Sequence, residues 1–395
     1  MLFRKKIPLA WKNLTHDWRR LATAAGGVGF AVFLIFIETG FLHALLDSTA
    51  ELVKVLNTDL VLASKSRFAL VSIERFDRRR LDQARSLPEI AGAYPLFVET
   101  QMGMLKNVDH KVGYPIRVVA YDLSSPVFDG TDVGENSHLI NRPNSALVDA
   151  KTKRKYQLPT DDIGQLRKSH AELENRRVHL MDTFSLGTDF STDGSLIMSD
   201  QNYAQYFPYA AGMDDPMSRI DLGLVQLKEG ANVKDAKQQL AKALQKFNDV
   251  DVFTKAEFMA KERMFWLRNT PVAFVFVVGT VMGFIVGIVI CYQIIFTDVT
   301  DHLPEFATLK AMGYADSYFL GLVLKESLYL SVLGFIPGVL ASFATYAFLA
   351  AQTGLLLRFS AERVLTVFGL TALMCVVSGC LAIRKIVSAD PADLF

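Results

Sequence analysis

Four long apolar runs constrain what this chain can fold into more than any other feature. They cover residues 21–46, 270–296, 327–357 and 364–383, and they contain almost no charged side chains. A helix crosses the roughly 30 Å hydrocarbon layer with about 20 apolar residues, and it closes its backbone hydrogen bonds internally as a bilayer requires. The runs therefore predict four membrane-spanning helices and explain why 51% of the chain is hydrophobic.

Basic residues at both ends of the chain predict how these helices are oriented. Arg384 and Lys385 directly follow the last run. Six basic residues precede the first run: Arg4, Lys5, Lys6, Lys12, Arg19 and Arg20. Lysine and arginine beside a span favour the cytoplasmic side. Because four spans return the chain to its starting side, both termini are expected in the cytoplasm.

The predicted fold class is a membrane protein with four transmembrane α-helices and a large mixed α/β periplasmic domain inserted between helices 1 and 2. The expected segments are a cytoplasmic amphipathic helix (1–20), transmembrane helix 1 (21–46), the periplasmic domain with helical stalk ends (47–269), transmembrane helix 2 (270–296), a cytoplasmic coupling loop (297–317), transmembrane helix 3 (318–350), a short periplasmic loop (351–363), transmembrane helix 4 (364–384) and a cytoplasmic tail (385–395).

Alternating apolar residues predict strands in the inserted segment, and two stretches favour helices. The expected strands are 59–63, 117–121, 146–149, 177–181, 195–198, 220–227 and 250–254. The expected helices are 76–87 and 233–247. An aromatic cluster, which we expect in the core or an interface rather than a ligand cage, consists of Tyr203, Tyr206, Phe207 and Tyr209.

The sequence carries no recognisable catalytic or metal-binding pattern. The seven histidines are scattered, there is no HExxH or GxSxG, and the three cysteines all lie in apolar runs. The loop 188–194 resembles a calcium loop, but it lacks the distal glutamate and is expected to be a turn. A net charge of +1 gives no indication of nucleic-acid binding. We therefore expect no enzyme, no cofactor and no metal site in this chain.

Two patterns inside the apolar runs predict special helix geometry. Gly279, Gly283 and Gly287 form two overlapping GxxxG steps, which allow close packing against another span or a second copy of the chain. Pro337 and Gly338 lie within the third run, where proline removes a backbone hydrogen bond and is expected to kink or break the helix.

The loop between the second and third runs contains a short helix with signals at both ends. Pro304 suits the first turn, Glu305 complements the positive end of the helix dipole, and Lys310 lies near the negative end. Gly313 suits the position just after the helix. So short a helix is marginal in water and needs a packing surface. Its apolar residues are Phe306, Leu309 and Met312, for which a soluble cytoplasmic partner or the membrane surface are the two candidates.

The sequence resembles the FtsX/MacB-type family of ABC transporter permeases, and most closely its DevC subfamily. The resemblance is carried by IPLAW at 7–11, DLVL at 59–62, FSLG at 184–187, MGFIVG at 282–287, DHLPEFATLKAMGY at 301–314 and ADPADLF at 389–395. It covers essentially the whole chain, and its most specific strings are the ones at 301–314 and 389–395.

The resemblance implies a homodimer of permeases, each seated on a separate ABC ATPase subunit that binds the ATP. No GxxxxGK[ST] is present here, which agrees with a non-catalytic subunit. It also implies a location in the bacterial inner membrane, together with a periplasmic membrane-fusion adaptor and a TolC-type outer-membrane channel. MacB carries an ATPase ahead of the first span, whereas this sequence begins with the amphipathic helix and matches the split arrangement. The implied ATPase-coupling residues are Pro304, Glu305, Phe306, Leu309, Lys310, Met312 and Gly313.

The expected function is thus ATP-driven export, in which ATPase motion passes through the coupling helix to the periplasmic domain. Three alternatives remain open at this point. They are a lipoprotein-releasing permease, an FtsX-like scaffold that activates a periplasmic hydrolase, and a membrane receptor without transport.

Overall fold

The structure is a computed structural model that describes Trp11 and residues 17–107, 112–210, 215–353 and 357–388. Most of the predicted amphipathic helix and the motif at 389–395 lie outside these residues. The chain forms two compact units. The helical unit comprises Met1–His43, Pro271–Leu349 and Leu357–Phe395, and the inserted unit comprises Ala44–Thr270 with Ala350–Leu356.

The helices of the described residues are numbered in chain order. They are α1 (Trp18–Val55), α2 (Arg79–Arg85), α3 (Asp132–Glu135), α4 (Ile163–Leu166), α5 (Asp200–Tyr206), α6 (Val233–Leu244), α7 (Lys255–Asn269), α8 (Pro271–Asp301), α9 (Leu303–Ala311), α10 (Asp316–Thr353) and α11 (Ala361–Ser388). Among them α1, α8, α10 and α11 are long and apolar enough to cross a membrane. The predicted fold class is confirmed to this extent: four apolar helices, with an α/β unit between the first and second.

The strands belong to the inserted unit. They are β1 (Leu60–Ser64), β2 (Phe76–Asp77), β3 (Ile90–Glu99), β4 (Met104–Asn107), β5 (Gly113–Pro115), β6 (Arg117–Tyr121), β7 (Ser145–Asp149), β8 (Ala171–Leu173), β9 (Arg176–Phe184), β10 (Ser195–Ser199), β11 (Arg219–Ile220), β12 (Leu222–Leu227) and β13 (Val250–Thr254). Eleven described strands form one sheet in the order β13-β1-β12-β3-β6-β10-β7-β9-β8-β4-β5, and β11 pairs with β2.

The large sheet is mixed, and several of its strands, including β1, β6, β7 and β10, are buried along their whole length. The pairs β6–β10 and β7–β9 are parallel, and the other pairs of neighbouring strands are antiparallel. Successive side chains of a strand point to opposite faces. In β1, Leu60 and Leu62 enter one hydrophobic core while Val61 and Ala63 enter the other. Strands buried on both faces read as continuous apolar runs, which is why sequence patterns located most of them.

Two predicted elements of the inserted unit are wrong in detail. The helix expected over 76–87 begins only at α2, because β2 pairs with β11 and the Asp77 carboxylate accepts a hydrogen bond from the Arg79 amide at 2.8 Å. The strand expected over 220–227 is divided at Asp221 into β11 and β12. The Asp221 carboxylate accepts from the buried Arg75 guanidinium at 3.0 Å, so its side chain belongs to a polar core rather than to strand alternation.

The helices flanking the inserted unit differ from each other. Helix α1 continues beyond the predicted limit at residue 46 to Val55, and α7 is a separate helix from α8 rather than an extension of it. The break lies at Thr270, which has the extended angles φ −114° and ψ 135°. Pro271 follows, and the residue before a proline is disfavoured in helical conformation. The helix expected to continue past the first apolar run is therefore present to Val55, whereas the helix expected to lead into the second run is interrupted at Thr270.

Candidate functional site

The short helix predicted between the second and third apolar runs is present as α9. Pro304 and Glu305 lie in its first turn. Gly313 has φ +94°, a conformation that favours glycine. The Gly313 amide donates to the Lys310 carbonyl at 3.0 Å, and the Tyr314 amide donates to the Leu309 carbonyl at 3.2 Å. These two bonds form a Schellman motif, so local residues define where α9 ends.

The apolar face of α9 packs mainly against its own chain. Phe306 is only 3% exposed, and its ring contacts Phe319 of α10 edge-on at 5.7 Å between centroids. Ala307 is also buried, and Leu309 packs against the same cluster of the helical unit. The need for a packing surface is therefore largely met within the chain. Of the predicted apolar contacts, Phe306 and Leu309 point inward.

The outward face of α9 is a mixed surface. Met312 is 63% exposed, and Pro304, Glu305 and Thr308 are exposed as well. Lys310 is half-buried, with its Nζ 3.5 Å from the Asp316 carboxylate of α10. We name Glu305, Thr308 and Met312 the outer face of α9. The assignment of Pro304, Glu305, Phe306, Leu309, Lys310, Met312 and Gly313 to contact with an ATPase stays a prediction.

An arginine from the beginning of α1 holds the turn that leads into α9. Arg20 Nη1 donates to the Asp301 carboxylate at 2.7 Å, and its Nη2 lies 3.7 Å from the Asp298 carboxylate. Asp301 is the last residue of α8. His302 follows, and its Nδ1 lies 3.0 Å from the Asp298 carbonyl oxygen. Sequence reasoning read Arg20 as an orientation signal and as a charged residue of the amphipathic helix, and it did not find this contact.

A small cavity of about 60 Å³ lies beside this ion pair within the helical unit. It is mostly apolar, with charged groups at one side. It is lined by Asp17, Arg20, Leu21, Ala24, Ile294, Ile295, Asp298, His302, Glu326 and Leu330. The beginning of α1, the end of α8 and the first half of α10 therefore lie close together around this cavity.

The glycine steps of α8 face α1 and α11 of the same chain. An added Cβ at Gly279 would lie 2.4 Å from the Glu38 carboxyl carbon, and one at Gly283 would lie 3.5 Å from Ile35. At Gly287 it would meet the Met374 sulfur. Within this chain these glycines let α8 approach α1 and α11 closely, and packing against a second copy stays a prediction.

Pro337 does not end its helix, because α10 is continuous through it. The break expected as one alternative does not occur, and the kink stays a prediction. Gly338 has a clear packing reason instead. An added Cβ there would lie 2.7 Å from the Gly29 carbonyl oxygen and 2.7 Å from Val32, both on α1.

The inserted unit contains a buried ionic cluster that sequence reasoning missed. Arg67 donates to the Asp221 carboxylate, and both side chains are fully buried. Arg75 donates to Asp221 at 3.0 Å, to Glu99 at 3.2 Å and to the Tyr203 hydroxyl at 2.8 Å. Buried charges of this kind are paired because desolvation of an isolated charge is costly. The cluster joins distant parts of the chain, so no local pattern announces it.

Glu262 of α7 is a buried acid that forms no ion pair at close range among the described residues. It is 0% exposed, and neither carboxylate oxygen makes a hydrogen bond of ordinary geometry to the described residues. Burial raises the pKa of Glu262 to about 7, while the Leu70 amide and the charges of Arg67 and Lys261 oppose the shift. This acid therefore changes charge near neutral pH inside the folded unit.

The other polar patterns of the inserted unit have structural explanations. In the loop once compared with a calcium site, Asp189 accepts from the Ser191 and Thr192 amides and from Arg117 at 2.7 Å, so it forms a turn. No group of three or more metal-ligating side chains occurs among the described residues. Of the aromatic cluster, Tyr203, Tyr206 and Phe207 are buried, whereas Tyr209 is 81% exposed.

Comparisons with known proteins agree with this architecture. Residues 277–391, which include α9, match the family described as FtsX-like permease C-terminal. The "Macrolide export ATP-binding/permease protein MacB 2" of Aeromonas hydrophila is 25% identical over 338 residues, covering 82% of this chain and 49% of that protein. The chain thus spans about half the length of the curated relative it matches.

Two solved structures are similar at lower levels. The periplasmic region of MacB from Actinobacillus actinomycetemcomitans has a TM-score of 0.37 at 11% identity, covering 55% of this chain and 96% of that one. The extracellular domain of the noncanonic ABC-type transporter YknZ from Gram-positive bacteria has a TM-score of 0.34 at 11% identity, covering 50% of this chain and 100% of that one. Neither TM-score is high enough to show that the inserted unit shares the fold of these domains.

The four apolar helices and the family match define the class of protein. Four described helices are long and apolar enough to cross a membrane, and residues 277–391 match the FtsX-like permease C-terminal family, which together support a multi-pass membrane protein. The similarity to MacB further supports the FtsX/MacB family of ABC transporter permeases, in which the permease part itself carries no ATPase.

Proposed function

We propose that this chain is the permease subunit of an ATP-driven ABC exporter, and that a separate ATPase subunit acts on it through α9. One observation carries the proposal. Between two helices able to cross a membrane stands a short capped helix whose inner face is buried and whose outer face is free. Such a helix is anchored to the spans and still presents Glu305, Thr308 and Met312 to a partner.

In the proposed mechanism, the ATPase displaces α9 when it binds and hydrolyses ATP. The inward anchor at Phe306 passes this displacement to α10, and the close packing of Gly279 and Gly338 spreads it to α1. Packed helices respond to such a push by small shifts rather than by deformation. Because α1 continues as one helix to Val55, the motion reaches the segment that contributes Leu52 and Val53 to the inserted core.

The arrangement around this subunit is part of the proposal. Both termini and α9 lie in the cytoplasm, and the inserted unit lies in the periplasm. Two copies form the permease, and an adaptor and a TolC-type outer-membrane channel carry the substrate outward. The resemblance to DevC-type permeases favours a glycolipid as the substrate class. Charged residues are scarce within the spans, which supports export by the inserted unit rather than an ion pathway through the membrane.

The outer face of α9 provides the direct test. The complex is isolated from native membranes on a tag carried by this chain, reconstituted in nanodiscs, and assayed for ATP hydrolysis. Met312→Asp places a charge where an apolar contact is expected, and should weaken binding of the ATPase by about 30-fold, or roughly 2 kcal/mol. Leu309→Asp is a poorer test, because Leu309 packs inside the chain.

Ser317→Asp serves as the matched control. Ser317 is also exposed, but it belongs to the first turn of α10, where a carboxylate is tolerated. Loss of the ATPase with Met312→Asp alone supports coupling through α9. Retention of full activity by Met312→Asp refutes it. Co-isolation of a lipoprotein or a hydrolase in place of the adaptor would redirect the proposal to lipoprotein release or to a regulatory scaffold.

The topology is tested separately with single cysteines. Lys310→Cys and Tyr209→Cys are introduced in a Cys380→Ala background, which removes the exposed native thiol. An impermeant maleimide added to spheroplasts should label position 209 and leave position 310 unlabelled until the cells are opened. Labelling of both from the same side would place α9 and the inserted unit together and exclude the mechanism.

A further inference from the structure

The beginning of α1 contacts the part of the chain from which α9 emerges. Asp301 is the last residue of α8, and only His302 separates it from the first residue of α9, so the 2.7 Å hydrogen bond from Arg20 is made at the joint itself. Asp298, one turn earlier, faces the second guanidinium nitrogen at 3.7 Å. A planar guanidinium suits two carboxylates at once, because its donors point in fixed directions.

A second contact joins the N-terminal region to α10, the helix that follows α9. The ring of Trp11 meets the ring of Tyr329 edge-on, with centroids 5.5 Å apart, and Tyr329 belongs to α10. The N-terminal region thus touches both helices that flank α9, at Asp301 on one side and at Tyr329 on the other. A segment that serves only as a membrane anchor has no need of these contacts.

We propose that Arg20 is a positioning residue that couples α9 to α1. Its ion pairs with Asp298 and Asp301 fix the α8–α9 joint to the beginning of α1, so that a displacement of α9 moves α1 directly. The coupling role of Arg20 rests on the proposed function, but its ion pairs with Asp298 and Asp301 lie within this chain and need no ATPase.

The first experiment therefore uses the full chain alone in nanodiscs. Hydrogen–deuterium exchange is measured for peptides that cover 303–312 in the wild type, Arg20→Gln and Arg19→Gln. Arg19 is a matched control, because its guanidinium lies 5.9 Å from the Trp18 ring centroid rather than on the joint. Loss of a partly exposed ion pair should speed exchange in Arg20→Gln by about three- to five-fold. Equal exchange in all three proteins, or equal acceleration in both variants, overturns the proposal.

The second experiment asks whether the pairing itself carries the effect. In the complex with the ATPase, Arg20→Asp and Asp301→Arg should each reduce ATP-driven turnover, and the double variant should restore it. A structural defect would not be repaired by exchanging the charges. Two impaired single variants without recovery in the double variant overturn the assignment. If even the wild type engages no ATPase, the proposed function fails while the exchange experiment still decides the role of Arg20.

Discussion

Replacing Glu262 by glutamine should remove a pH-dependent weakness of the inserted unit. Glutamine keeps the shape of the side chain but has no charge to bury. The folded state holds the proton of Glu262 up to a pKa of about 7, against an ordinary value of 4.5. The folded state therefore binds more protons than the unfolded state between these values, and stability falls as the pH rises through this window.

The size of the effect follows from the shift. A difference between about 7 and 4.5 corresponds to roughly 3 kcal/mol of differential stability. About 2.5 kcal/mol of it should be lost between about pH 5 and about pH 8. Wild type and Glu262→Gln share all other titrating groups, so subtracting one stability from the other isolates this residue.

The assay can be placed close to the site. Trp266 stands one helical turn from Glu262 on α7, and the chain has two other tryptophans, Trp11 and Trp18. With both of those replaced by phenylalanine, urea unfolding of the full chain in detergent is followed through Trp266 fluorescence. The wild type should lose stability relative to Glu262→Gln as the pH rises. A difference that stays constant from acid to alkaline pH would show that the carboxylate is not held neutral.

Three further substitutions test the packing. Gly338→Ala should destabilise the helical unit by about 1–3 kcal/mol, because its methyl group would meet the backbone of α1, while Gly369→Ala has open space; equal thermal midpoints would contradict this. Gly313→Ala forces a side chain into φ +94° and should cost about 1 kcal/mol, seen as faster amide exchange at the end of α9; unchanged exchange would argue against the cap. Asp221→Asn should cost about 3–5 kcal/mol in urea unfolding, because it leaves the Arg67 charge buried without its counter-ion, whereas a loss below 1 kcal/mol would show that water reaches the site.

Sequence patterns predicted the positions of helices and strands well where one continuous run of residues determines the element. Apolar length located all four long helices, and strand-like runs located β6 and β13 to the residue. The central strand β3 was missed. It contains Pro95, which cannot donate to a neighbour and normally argues against a central strand. In the structure Pro95 stands opposite Gly223 of β12, so tertiary pairing overrides the local signal.

The buried charges show a second limit of sequence reasoning. Sequence alone predicts that Arg67, Arg75 and Asp221 are exposed, since charged side chains are rarely buried. The arginines are buried because two carboxylates, Asp221 and Glu99, pair with them. Only the three-dimensional pairing makes this arrangement favourable, so a reading of one segment at a time cannot find it.

Helix α9 has one property that local sequence determines and one that depends on tertiary packing, and both matter for its function. Its existence and its end are local properties, because Gly313 and the carbonyls it caps are neighbours in sequence. The direction of its apolar side chains is not local, because it depends on Phe319 beyond the turn. A partner that contacts α9 must therefore recognise the polar and flexible side chains of the outer face, while Phe306 converts that contact into movement of α10. Recognition and transmission then lie on opposite sides of one short helix, and substitutions on the two sides should separate loss of binding from loss of coupling.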